Sequence, residues 1–90
     1  MIEYPKDKLY LRVGNLLTSL KSIAYENHNL ELYAYLTNVS KWVKPVNIEW
    51  VIKTEKHILS QNFLNQKAFK ENDREKMKPI IRDYKLNQLL

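Results

Sequence analysis

His28 and Glu31 stand three residues apart, a spacing that on a helix brings an imidazole and a carboxylate together for proton transfer or for a metal ion. A histidine in an exposed turn accounts for the same residues with no chemistry at all, and that is the plainer reading. His57, the other histidine, belongs to no HExxH pattern or other ligand spacing. Glu71, Asp73 and Glu75 alternate along a heavily charged stretch, where a solvated acidic cluster is expected in place of a catalytic dyad. No cysteine exists to act as nucleophile or thiolate ligand, and no serine sits in a nucleophile elbow. The single glycine cannot build a phosphate-cradling or dinucleotide-binding loop. The sequence therefore predicts no catalytic residue, no metal and no cofactor, and a protein that is not an enzyme.

Binding chemistry is better represented. The stretch KWVKPVNIEWVIK, Lys41 to Lys53, holds both tryptophans of the chain. Lys41, Lys44, Lys53 and Lys56 could neutralise phosphates around a turn, with Trp42 or Trp50 stacking on a base. A helix-turn-helix would run from Leu30 to Lys44, turn at Pro45–Asn47 and read bases from Ile48. Its reading head would be Ile48, Glu49, Trp50 and Val51, which lacks the arginine, lysine, asparagine and glutamine that read base edges. Sequence-specific recognition is not expected, and non-specific phosphate contact survives as the alternative reading. Net charge of +5 favours an anionic partner and excludes a mimic of DNA, which needs an acidic surface. Twelve lysines and nine asparagines against three alanines also suit an AT-rich coding sequence, which accounts for part of the charge.

Periodicity supplies the elements that would position these residues. Leu9, Val13, Leu16, Leu20 and Ile23 recur at spacings of 4, 3, 4 and 3, with Leu17 and Ala24 beside them, so a first helix with one buried face is predicted. Pro5 suits its first turn, and Gly14 weakens its interior. Asn27, His28 and Asn29 interrupt the pattern with residues that favour turns and caps. Leu32, Leu36, Val39, Val43 and Val46 repeat the spacing, with Tyr35 and Trp42 beside them, so the two stripes predict an antiparallel helical hairpin. Trp42 is expected at its seam. The second helix should end near Lys44, before Pro45, and Asn47 should cap a third.

On the third helix Ile48, Val51, Ile52, Leu59 and Phe63 share a face, with Glu55, Asn62 and Gln66 among them. A second stripe runs through Trp50, Lys53, His57, Gln61 and Leu64. Those five are the candidate partner-binding residues, because exposed aromatic and aliphatic anchors carry interface energy disproportionately. The competing reading is that Ile80, Ile81 and Tyr84 cover that stripe from within the chain. The stretch 46–54 is also rich in β-branched and aromatic residues, so a strand pairing with LYLRV is the alternative to a third helix. In 67–78, eight of twelve residues are charged, and Glu71 with Arg74, Asp73 with Lys76 and Glu75 with Lys78 have the spacing of helix-supporting pairs. Pro79 then kinks that helix or starts another.

The expectation is an all-α single domain over 1–90, a small antiparallel helical bundle made of a helical hairpin, a third helix and a shorter C-terminal helix after Pro79. No apolar run approaches the ~20 residues of a membrane span, and the first residues lack the apolar stretch of a signal peptide. A cytoplasmic protein is expected. Its predicted role is to bind, and so regulate, inhibit or adapt, a larger protein or complex, or to pair with a second copy of itself. The Lys/Asn-rich composition is associated with accessory proteins of bacteria and their phages. A basic nucleic-acid-binding regulator comes second, and a peripheral membrane or immunity protein third.

Overall fold

The computed structural model describes residues 5–88, with side chains from 8 to 86. Four α-helices follow one another: α1 (Pro5–Glu26), α2 (Leu30–Ser40), α3 (Ile48–Leu59) and α4 (Glu71–Gln88). A single 3-10 turn, Phe63–Asn65, lies between the last two. The described residues contain no strand, so the class is the all-α bundle that the periodicity predicts, and the stretch after Asn47 is helix.

The first apolar stripe makes α1 the axis of the fold. Val13, Leu16, Leu17, Leu20, Ile23 and Ala24 are buried, Leu9 is half-buried, and α2, α3 and α4 all pack on this helix. Leu32, Leu36 and Val39 bring α2 against it, and Val51, Thr54 and Ile58 bring α3. Thr54 is buried without penalty because its hydroxyl donates to the Trp50 carbonyl at 2.7 Å.

The turn between α1 and α2 closes through two backbone bonds, Asn29 N–H to the Ala24 carbonyl (2.9 Å) and His28 N–H to the Tyr25 carbonyl (3.0 Å). That is the double closure of a Schellman cap, and it places His28 at a φ of 57° where glycine is the usual residue. Asn29 then caps α2, its side-chain oxygen accepting from Leu32 N–H at 3.2 Å. Its amide nitrogen donates to the Ala68 carbonyl (2.8 Å) and to one carboxylate oxygen of Asp73 (2.7 Å). Asn27 donates to the other oxygen of Asp73 at 2.6 Å. Lys70 N–H donates to Asp73 at 3.0 Å, the reach-back bond of a capping box at the start of α4.

Asp73 is thus 1% exposed and tied to three donors, where a solvated acidic residue paired with Lys76 was expected. As third residue of α4, Asp73 turns its carboxylate to the N-terminal Lys70 amide and to the asparagines of the hairpin turn, not to the solvent side. Glu71 is exposed and unpaired with Arg74, whose guanidinium instead donates to the Phe69 carbonyl at 2.7 Å. Of the three expected pairs, Glu75–Lys78 forms, at 3.9 Å on the surface.

Three boundaries differ from the periodic reading. α2 stops at Ser40, short of Lys44, and tightens into three-residue turns in which Lys41, Trp42 and Val43 N–H reach Asn38, Val39 and Ser40 carbonyls. Pro45 disfavours helical geometry at Lys44 and cannot donate to a following turn, so the ladder fails upstream of it. Val46, which the spacing places on the stripe, consequently lies off it and 91% exposed. α3 ends at Leu59, because a continuous helix would carry Phe63 roughly 140° around from Ile58, away from the core. The break lets Phe63 and then Phe69 turn inward and become buried, while Ile52, expected on the core face, stays exposed. α4 begins at Glu71 and runs through Pro79, so the last helix is not a short one after the proline. Pro79 lies on the exposed face, where water can satisfy the carbonyl that loses its donor.

Burial pushes the Asp73 pKa up, but the hydrogen bonds from Asn27, Asn29 and Lys70 N–H and the Lys70 charge outweigh it, and the net shift is downward from 3.8. A depressed carboxylate contributes stability above its unfolded value and loses it as pH falls through the folded one. Asp73→Asn should therefore cost about 2 to 3 kcal/mol at pH 7 in urea unfolding, with the gap to wild type narrowing below about pH 4. An equal gap at both pH values would contradict this. Gly14 lies in the α1 interior, and a Cβ there would meet nothing within 4 Å. Gly14→Ala should raise stability by about 1 kcal/mol, and a lower melting temperature would show that the open space is needed.

Candidate interaction surface

Ending α2 early and capping α3 at Asn47 brings Trp42 and Trp50 together from opposite sides of the Pro45 turn. Their ring centroids are 5.9 Å apart at an interplanar angle of 45°, and each side chain is 44% exposed. The Asn47 side-chain oxygen accepts from Trp50 N–H at 3.4 Å and so fixes the turn that carries the second ring. Lys53, one turn on, places its ammonium 5.0 Å from the Trp50 ring centroid, within cation-π range. Lys41, Trp42, Lys44, Asn47 and Trp50 surround a shallow cleft of ≈160 Å³ with no carboxylate in its lining. Among the described residues no ion pair engages Lys41, Lys44, Lys53 or Lys56, all of them exposed.

Trp42 is therefore a surface residue and not a seam residue of the hairpin. The tightened turns after Ser40 take it off the α2 stripe, and its ring lies against that of Trp50. Proline and the asparagine cap between two tryptophans eight residues apart were the available signal, but the pairing depends on a chain reversal that spacing alone does not give.

The five-residue stripe on α3 divides. Trp50 and Lys53 stay together at the exposed end. His57 turns inward, bonded to the Tyr35 hydroxyl at 2.6 Å and 3.4 Å from the Gln66 amide, with its ring edge-on to Phe63 at 5.4 Å. Tyr35, Phe63 and Phe69 complete this aromatic cluster beneath α2 and α3. Gln61 and Leu64 lie beyond the helix end, on the side that faces α4. Ile81 is buried and Ile80 and Tyr84 half-buried against the core, but they do not cover Trp50. Tyr84 hydrogen-bonds Glu55 across the α3–α4 gap. Burial, then that bond and the Glu55 charge, push its pKa up to about 12, with Arg12 acting in the other direction.

The catalytic candidates stay apart. His28 and Glu31 are both exposed and unbonded to each other, and Asp73 is consumed by the fold. Among the described residues no group of three histidine or carboxylate side chains is placed to hold a metal, and no helix is long and apolar enough to cross a membrane. Comparison with protein-family models, characterised proteins and solved structures gives no match.

A ring pair of this kind adds about 0.5 to 1.5 kcal/mol beyond its buried area, and with each ring half-exposed its contribution to the fold is modest. Trp42→Ala and Trp50→Ala should each keep the helical circular dichroism spectrum and cost less than about 2 kcal/mol. Unfolding of either variant would return the pair to the core.

Proposed function

We propose that this chain is a non-enzymatic binding protein that regulates, inhibits or adapts a larger protein, docking through the end that carries Trp42 and Trp50. The observation behind this reading is the exposed tryptophan pair in its ring of unpaired lysines. Tryptophans are the commonest energetic anchors of protein interfaces, most effective where neighbouring groups exclude water around them. The charge of the ring specifies the partner's rim: carboxylates around an apolar pocket that takes the two indoles. Trp50, Lys53, Trp42, Lys41 and Lys44 would make this contact. His57, Gln61 and Leu64 lie outside it.

The four lysines also support a second reading, non-specific contact with nucleic-acid phosphates through Lys41, Lys44, Lys53 and Lys56. Base stacking fits less well. One side of the Trp50 ring faces Trp42 and another carries Lys53, and rings tilted by 45° at 5.9 Å leave no parallel slot for a base.

Capture experiments separate the readings. Wild type and Leu86→Ala, a substitution at an exposed site on α4, should recover the same stoichiometric protein partner, while Trp42→Ala and Trp50→Ala should lose at least about tenfold in affinity for it. Undiminished capture by both tryptophan variants would refute the assignment. Saturable binding of a single-stranded oligonucleotide at about 50 mM salt, falling steeply by about 200 mM, would move the conclusion to nucleic acid.

A further inference from the structure

α3 and α4 both pack on α1, and residues of both helices line a cleft of ≈320 Å³. Its floor is aliphatic, built from Leu59 and Leu64 over the buried Ile58 and Ile81. One side is cationic: Lys78, Arg82 and Lys85 project from successive turns of α4. Gln61 adds an amide at the end of α3, and no carboxylate lines the cleft. Lys78 has a loose surface contact with Glu75 at 3.9 Å, whereas no ion pair engages Arg82 or Lys85 among the described residues. Asp83, the nearest acid in sequence, belongs to the groove on the other side of α4, with Arg12.

Like charges four and three residues apart on one helix face repel, so the arrangement is uncompensated until an anion binds. An anion alone would leave the aliphatic floor wet, and a hydrocarbon alone would leave the cations unused. At roughly 30 Å³ per water-sized group the cleft accommodates about ten such groups, which is a small molecule and not a protein segment.

We infer that this cleft is a binding site for a free single-chain amphiphile of roughly eight carbons ending in a carboxylate or phosphate. The chain lies on Leu59, Leu64 and Ile81, and the head group is held by Arg82 and Lys85, with Gln61 donating from the opposite side. The site is separate from the tryptophan pair and does not depend on the role proposed for it.

Octanoate is the probe, followed by calorimetry and by the methyl signals of Leu59, Leu64 and Ile81 in NMR spectra of the full chain. Saturable binding that shifts those methyls is expected, with octanol and acetate each at least about tenfold weaker because each lacks one half of the ligand. Arg82→Gln/Lys85→Gln, both at exposed positions, should weaken octanoate by at least about tenfold and leave octanol unchanged. The inference is overturned by the absence of saturable shifts up to about 5 mM octanoate, by octanol binding as tightly, or by full retention in the double variant. Binding to phosphatidylglycerol vesicles without binding to octanoate would equally overturn it, because the charge would then be serving a bilayer surface.

Discussion

The bundle depends on one buried carboxylate. Asp73 receives Asn27, Asn29 and the Lys70 N–H, and through them joins the α1–α2 turn to the start of α4. An unpaired charge at 1% exposure would be prohibitively costly, so those donors must be in place whenever the chain is folded. Apolar packing against α1 is non-directional and would tolerate α4 at several heights. The Asp73 bonds specify one, since Asn29 caps α2, binds Asp73 and holds the Ala68 carbonyl at the same time.

The far end of α2 has no such buried polar tie among the described residues. α2 stops before Pro45, and the turn that follows is held by the Asn47 cap, by the two tryptophan rings and by Val43 and Ile48, half-buried against the edge of the core. Val46 at 91% exposure marks how far this segment lies from the core. A small domain has limited apolar surface to bury, and two half-exposed tryptophans are a poor use of it unless something else covers them. The same reasoning applies between α3 and α4, which both pack on α1 and leave a cleft between them lined by Leu59 and Leu64 on one side and Arg82 and Lys85 on the other.

Much of the frame is legible in the sequence. The α1 stripe from Leu9 to Ile23, the three asparagine and histidine residues at the first turn, and Asn47 as the cap of α3 all follow from periodicity and capping rules that act within a few residues. What escaped depends on contacts between distant segments. Asp73 lies 46 positions from Asn27, and among seven other charged residues nothing in 67–78 marks it as the one that is buried. No glycine or proline interrupts the α3 stripe before Leu64; the pull of Phe63 into the core ends the helix, with the Ser60 hydroxyl bonding the His57 carbonyl at 2.8 Å. Trp50 lies exposed on its own side of α3, and Trp42 is exposed too; the spacing places Trp42 at the hairpin seam because spacing cannot show where a helix tightens. Lys53 lies beside Trp50, whereas His57 is bonded to the Tyr35 hydroxyl.

The central claim is that the molecule is fastened at the Asp73 end and presents a separately held surface at the tryptophan end. Native-state amide hydrogen exchange tests it on one unmodified protein. The account predicts that the amides of Asn29, Leu32 and Lys70 exchange only through global unfolding, while those of Lys41, Trp42, Val43 and Asn47 exchange through local opening at lower free energy. Exchange at Lys70 and Asn29 as fast as at Trp42 and Val43 would contradict it.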